Sequence, residues 1–79
     1  MLKVVLFSSK QMIYEGQARS VTLPGEQGWF EVHPFHKPLL TRLKAGSLLI
    51  DKTPFAIRHG AVKVKNNEVV IMARPVGAL

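Results

Sequence analysis

Glu31, His33 and His36 are the side chains whose types and spacing come closest to a reactive or metal-binding group. Zinc takes imidazole nitrogen and carboxylate oxygen, so a Glu and two His within one short segment look like the beginning of a ligand set. A zinc site needs three or four ligands that converge. Glu31 and His33 would share a strand face, but Pro34 and Pro38 fix the loop around His36 in a way unrelated to ligation, and no fourth ligand is near in sequence. The sequence has no cysteine, which removes thiolate sites and disulfides. No metal and no cofactor are expected.

Nucleophilic chemistry has as little support. Ser8, Ser9, Ser20 and Ser47 lie outside any Gly-x-Ser-x-Gly elbow. Gly25 and Gly28 precede a strand, and no Gly-Lys-Ser or Gly-Lys-Thr follows to make a phosphate loop. No catalytic residue is expected. The charge balance is basic, eleven Lys and Arg against five Asp and Glu, which raises an alternative reading as a small β-barrel that binds RNA or single-stranded DNA. Such barrels interleave aromatic side chains with a continuous positive groove. Here the basic residues are scattered and the aromatics few, so no nucleic-acid partner is expected.

The elements that hold these residues are short strands. Pro and Gly divide the stretch from Val21 to Ile50 into apolar runs too brief for helices. Leu2–Phe7, apolar on both faces, reads as an interior strand, followed by a turn at Ser8–Gln11. Met12–Tyr14 reads as a strand broken by Glu15-Gly16, and Ala18–Leu23 as another, ended by Pro24-Gly25. Trp29–Val32, Leu39–Leu43, Ser47–Ile50 and Phe55–Ile57 follow, with a polar turn at Asp51–Pro54 and a break at His59-Gly60. Leu39, Leu40 and Leu43 are expected in the core, with Thr41 and Arg42 outside. Phe30 is also expected in the core, and Trp29 is weighed between core and exposed anchor.

The C-terminal hairpin is the clearest local pattern. Val62 and Val64 alternate with Lys63 and Lys65, Asn66-Asn67 tolerates the positive φ of a type I′ turn, and Glu68–Met72 resumes as strand. That register sets Lys65 opposite Glu68, Val64 opposite Val69 and Val62 opposite Ile71. Together these runs predict an all-β fold, an antiparallel β-sandwich or barrel. Residues 1–73 form one domain, with 74–79 a tail. So small a chain buries a modest core, and with 47% hydrophobic residues it is expected to leave apolar surface for a partner. No apolar run is long enough to span a membrane, and the N-terminus does not read as a signal peptide.

Val21 to Gly46, in the pattern Val-Thr-Leu-Pro-Gly-x-x-Gly-x-Phe-x-Val-x-Pro-x-His-x-Pro-Leu-Leu-Thr-x-Leu-x-x-Gly, resembles the N-terminal domain of the epsilon subunit of F-type ATP synthases. Gly60–Val64 and Asn67–Ala73 are similar to the closing hairpin of that family. The resemblance implies a β-sandwich of about ten short strands in two five-stranded sheets. It implies a non-catalytic rotor subunit that joins the gamma subunit to the c-ring, peripheral to the cytoplasmic face of a bacterial inner membrane or its organellar equivalent, with no homo-oligomer required. By the same resemblance Glu26, Gln27, Trp29 and His36 belong to a ring-contacting loop, and Ser8, Thr41 and Arg42 to the gamma contact. Lys37, Arg42 and Lys44 would steer the domain toward acidic groups. Two positions depart from the family pattern, Phe35 and Glu31, where Gly is usual. The C-terminal helical pair of most members is absent from this sequence, so its inhibitory function and its ATP site are not expected here.

Overall fold

A computed structural model of the protein describes residues 1–76. Eight strands account for it: β1 (Leu2–Phe7), β2 (Met12–Ala18), β3 (Val21–Gly25), β4 (Gly28–Val32), β5 (Leu39–Leu43), β6 (Gly46–Ile50), β7 (Thr53–Lys65) and β8 (Glu68–Pro75). The fold is all-β, as expected.

β1 shows why an apolar run forms an interior strand. Leu2, Val4 and Leu6 are fully buried, while Val5 and Phe7 are half-buried on the other side. β2 flanks it antiparallel and β8 flanks it parallel. The parallel pair lies outside the antiparallel expectation. Parallel neighbours need a long crossover, and here nearly the whole chain between β1 and β8 supplies it. β2 also runs past Glu15-Gly16, because Gly16 makes room for the Tyr14 ring rather than breaking the strand.

The strands form two apolar-faced layers. One has the order β2-β1-β8-β7-β5; the other joins β4, β3 and β6 to the first half of β7. Val21, Leu23, Val32, Leu48 and Ile50 of the second layer share one core with Leu6, Val62, Val64, Val69 and Ile71 of the first. No polar or charged side chain is buried among the described residues. This is the alternation of a sandwich, clearest along β1, β7 and β8, where buried and more exposed residues take turns.

The strands number eight rather than about ten, and hydrogen bonding joins them into one folded-over sheet rather than two of five, with β7 serving both layers and β3 meeting β5 at Gly25 and Leu43. His59-Gly60, expected as a break, is where β7 bends. The register slips between Ile57 and His59, and a Cβ on Gly60 would collide with the Met72 carbonyl oxygen. Only glycine allows β8 to approach so closely. Thr53–Ile57 therefore pairs with β6, and Gly60–Lys65 lies between β5 and β8.

Several turns differ from the expected ones. Pro24-Gly25 stays in β3 and the two-residue turn is Glu26-Gln27. Pro24 sits where β3 leaves β6 and reaches β5, so its missing N–H removes no ladder bond to β6; its carbonyl accepts the Lys44 N–H at 2.9 Å. Arg19-Ser20 interrupts the run expected from Ala18 to Leu23. The Asn66-Asn67 turn has φ of 53° and 60°, and the register of β7 with β8 is the one expected. β8 continues through Arg74 and Pro75, and the Val76 N–H donates to the Ala56 carbonyl at 3.1 Å. The rest of the expected tail, residues 77–79, lies outside the described residues.

Candidate functional site: the outer face of the first layer

Alternation places every second residue of β2, β1, β8, β7 and β5 on an outer face with no strand packed over it. One cross-strand row runs Met12, Phe7, Met72, Ala61, Arg42, each opposite the next in register. The adjacent row runs Glu15, Val5, Val70, Lys63, Leu40. The face is mostly apolar: Val5, Phe7, Val70 and Ala61 are half-buried at its centre, Met72 is 51% exposed there, and on the flanking strands Met12 is 54% and Leu40 76% exposed. Glu15 and Arg42 lie on its outermost strands, β2 and β5, and Lys63 lies one strand in, on β7. At about 4.8 Å per strand the rows extend about 20 Å, a continuous patch rather than scattered residues.

Leu40 corrects the sequence expectation. The residues facing the core from β5 are Leu39, Thr41 and Leu43, and those facing out are Leu40 and Arg42. Three leucines cannot all face one side of a strand when two of them are neighbours. Thr41 accordingly lies half-buried on the side away from Arg42. Phe30 is half-buried and packs against the core.

At the strand ends next to the row of Met72, Ala61 and Arg42, the surface opens into a concavity of about 1000 Å³. Ser8, Lys10, Glu26, Arg42, Met72 and Arg74 are among its lining residues. Three cations and one carboxylate in this group give it a positive rim. Ser8 and Arg42, expected to share a partner contact, thus do lie around one depression. The Ser8 hydroxyl is itself engaged, accepting the Lys10 and Gln11 N–H groups at 3.2 Å each. This local bonding holds the β1–β2 turn.

Glu26, Gln27, Trp29 and His36 do not form one loop. Glu26 and Gln27 are the exposed tip of the β3–β4 hairpin. Trp29 is 56% exposed. Its ring lies over Gly46, where a Cβ would come within 3.5 Å of it and 3.3 Å of Pro24. His36 follows β4 and lies beyond the other end of that hairpin, whose five-residue strands are about 17 Å long at strand rise. The His36 Nδ1 is 2.7 Å from the Lys37 carbonyl oxygen, and its N–H donates to the His33 carbonyl at 3.2 Å.

His33 and Glu31 meet only each other, Nε2 to Oε2 at 3.0 Å, both exposed. No three His, Cys, Asp or Glu residues among those described are grouped so as to hold a metal ion. The six aromatics do not share a face. Phe7 lies on the outer side of the first layer, Trp29 on the second, and Phe35 in a loop. Tyr14, Phe30 and Phe55 pack against the core. A stacking platform for single-stranded nucleic acid needs them side by side.

Sequence reasoning missed Met12, Met72 and Leu40. The available signal was the second apolar side of β1, which called for a cover that the described residues do not provide.

Comparison with known proteins agrees with this architecture. Residues 1–76 match the family model for the β-sandwich domain of the ATP synthase delta/epsilon chain. The ATP synthase epsilon chain of Sulfurimonas denitrificans is 37% identical over 76 residues, covering 90% of this chain and 58% of that protein. The epsilon chain of Polaromonas naphthalenivorans is 32% identical over 77 residues, covering 91% and 56%. This chain therefore spans little more than half the length of these relatives. Among solved structures, the central stalk and c-ring of the Tetrahymena thermophila mitochondrial ATP synthase contains a chain of similar fold, with TM-score 0.78, 18% identity, and coverage of 92% of this chain and 63% of that one. A chain in the Euglena gracilis mitochondrial ATP synthase gives TM-score 0.83 at 18% identity, covering 99% and 55%.

Proposed function

The chain belongs to the family of the ATP synthase delta/epsilon chain β-sandwich domain, and from that premise we propose that it is a non-catalytic central-stalk element joining the gamma subunit to the c-ring. The observation that carries this is the outer row Met12, Phe7, Met72, Ala61, an apolar surface that ends on Arg42 and that none of the described residues covers. Gamma covers it. Torque needs a stiff connection between two surfaces, and a hydrogen-bonded, close-packed sandwich supplies stiffness without any reactive group.

The same reading divides the exposed features by place. Gamma sits against the outer face and the positive concavity edged by Ser8 and Arg42. The hairpin tip of Glu26 and Gln27, with Trp29 braced on Gly46 and Pro24, meets the ring. Trp is the residue type most enriched where a few side chains dominate an interface. Through the ring the domain is peripheral to the membrane.

The test is direct binding. The purified chain mixed with its cognate gamma subunit should elute as a stoichiometric complex, and addition of purified c-ring should retain both. A chain that elutes alone from gamma at micromolar concentration would rule the reading out.

A further inference from the structure

We propose that Phe35 is a preset aromatic anchor that enters an apolar socket rimmed by carboxylates on the protein partner docked against the first layer. The inference rests on the reading above and adds a specific contact to it.

Phe35 is 89% exposed, more than any other large hydrophobic side chain described. Its φ is 67°, in the left-handed region that L-residues with a Cβ avoid. A glycine would hold the same turn without strain and without a ring in water. The conformation is nonetheless enforced. The Phe35 N–H donates to Asn67 Oδ1 at 2.6 Å, and the His36 N–H donates to the His33 carbonyl at 3.2 Å. Pro34 and Pro38 restrict the chain on both sides. Asn67 is itself fixed by the β7–β8 turn and by its carbonyl, which accepts the Lys3 N–H at 2.9 Å. A strained backbone, held in place and carrying an exposed aromatic ring, adds nothing to the isolated fold. Strain that the surroundings enforce without a folding benefit marks a functional position.

The neighbours indicate the partner's chemistry. Pro38, Leu40, Lys63 and Lys65 line a shallow apolar depression beside this loop. Lys63 and Leu40 are the end of the outer-face row described above, so the loop continues the proposed docking surface. The lysines call for carboxylates, and the ring, Leu40 and Pro38 call for a nonpolar pocket. One aromatic ring with one leucine is too little apolar surface to hold a bilayer, which favours a protein.

Phe35→Gly tests this in the full chain against the cognate gamma subunit. Relief of the positive φ should raise Tm by ~2–5 °C. Loss of the anchor should weaken gamma binding about tenfold or more. Lys63→Glu with Lys65→Glu should slow association and remove most of its salt dependence. If wild type binds gamma and Phe35→Gly binds equally, the anchor is wrong while the central-stalk reading stands. If wild type does not bind gamma, both fall. The anchor is also overturned if wild type, but not Phe35→Gly, sediments with vesicles of phosphatidylcholine and phosphatidylserine. A wild-type homodimer that Phe35→Gly abolishes would overturn it as well.

Discussion

Asp51 holds the corner at Arg19: its Oδ1 accepts the Arg19 N–H at 2.8 Å and the Ser20 N–H at 3.3 Å, across more than thirty residues. Its own N–H donates to the Ser20 carbonyl at 2.9 Å. The β6–β7 turn is thereby tied to the β2–β3 corner, where the chain leaves one layer for the other. Asp51 has φ 54°, which Asp and Asn tolerate better than Ala. Asp51→Ala is expected to cost about 1–2 kcal/mol, from two lost acceptor contacts and the added strain. Asp51→Asn keeps an acceptor oxygen and the φ, and should lose less than half of that. Urea denaturation of both variants checks the order, and equal losses would refute it.

Gly60→Ala should be more damaging than its size suggests. The new Cβ would collide with the Met72 carbonyl oxygen and stand 2.9 Å from the Ala73 Cα. Both are backbone atoms, so nothing flexible can move aside. A cost of about 2 kcal/mol or more follows. Amide exchange should then accelerate first in β7 and β8 around the bend.

Ile71 and Met72 are neighbours on β8 with opposite fates. Ile71 is fully buried, and Ile71→Ala should cost about 2–5 kcal/mol, a large part of what a small domain has. Met72 faces out, and Met72→Ala should change stability by less than about 0.5 kcal/mol. Thermal melts of the pair test the two-layer assignment, because a one-residue register slip would reverse them.

Met72→Glu and Arg42→Glu separate folding from docking. Both positions are on the outer face, so both variants should melt close to wild type. Met72→Glu places a carboxylate at the centre of the apolar row and should weaken gamma binding about a hundredfold. Arg42→Glu reverses a rim charge and should act mainly on association rate, with a smaller effect at high salt. Unchanged affinity in Met72→Glu would move the gamma contact elsewhere.

The hairpin of β7 and β8 was legible down to its register because every determinant is local: alternation of Val and Lys, and two Asn that accept positive φ. The family pattern through Val21 to Gly46 was equally legible. The turn at Glu26-Gln27 was not, since Pro24-Gly25 carries the stronger local turn signal and is held in β3 by the neighbouring strands. The candidate site was legible only in pieces. Ser8 and Arg42 meet around one concavity, whereas His36 lies at the other end of the β3–β4 hairpin from Glu26.

By itself the sequence determined the strand periods, the type I′ turn and the family, since these depend on residue types at short, ordered spacings. Only the tertiary structure decided that β1 lies parallel to β8, that β7 serves both layers, and that Leu40 faces out while Thr41 faces in. Those outcomes turn on which distant strands pair and in what register. Pairing is settled by the joint burial of two faces that no single stretch of chain contains.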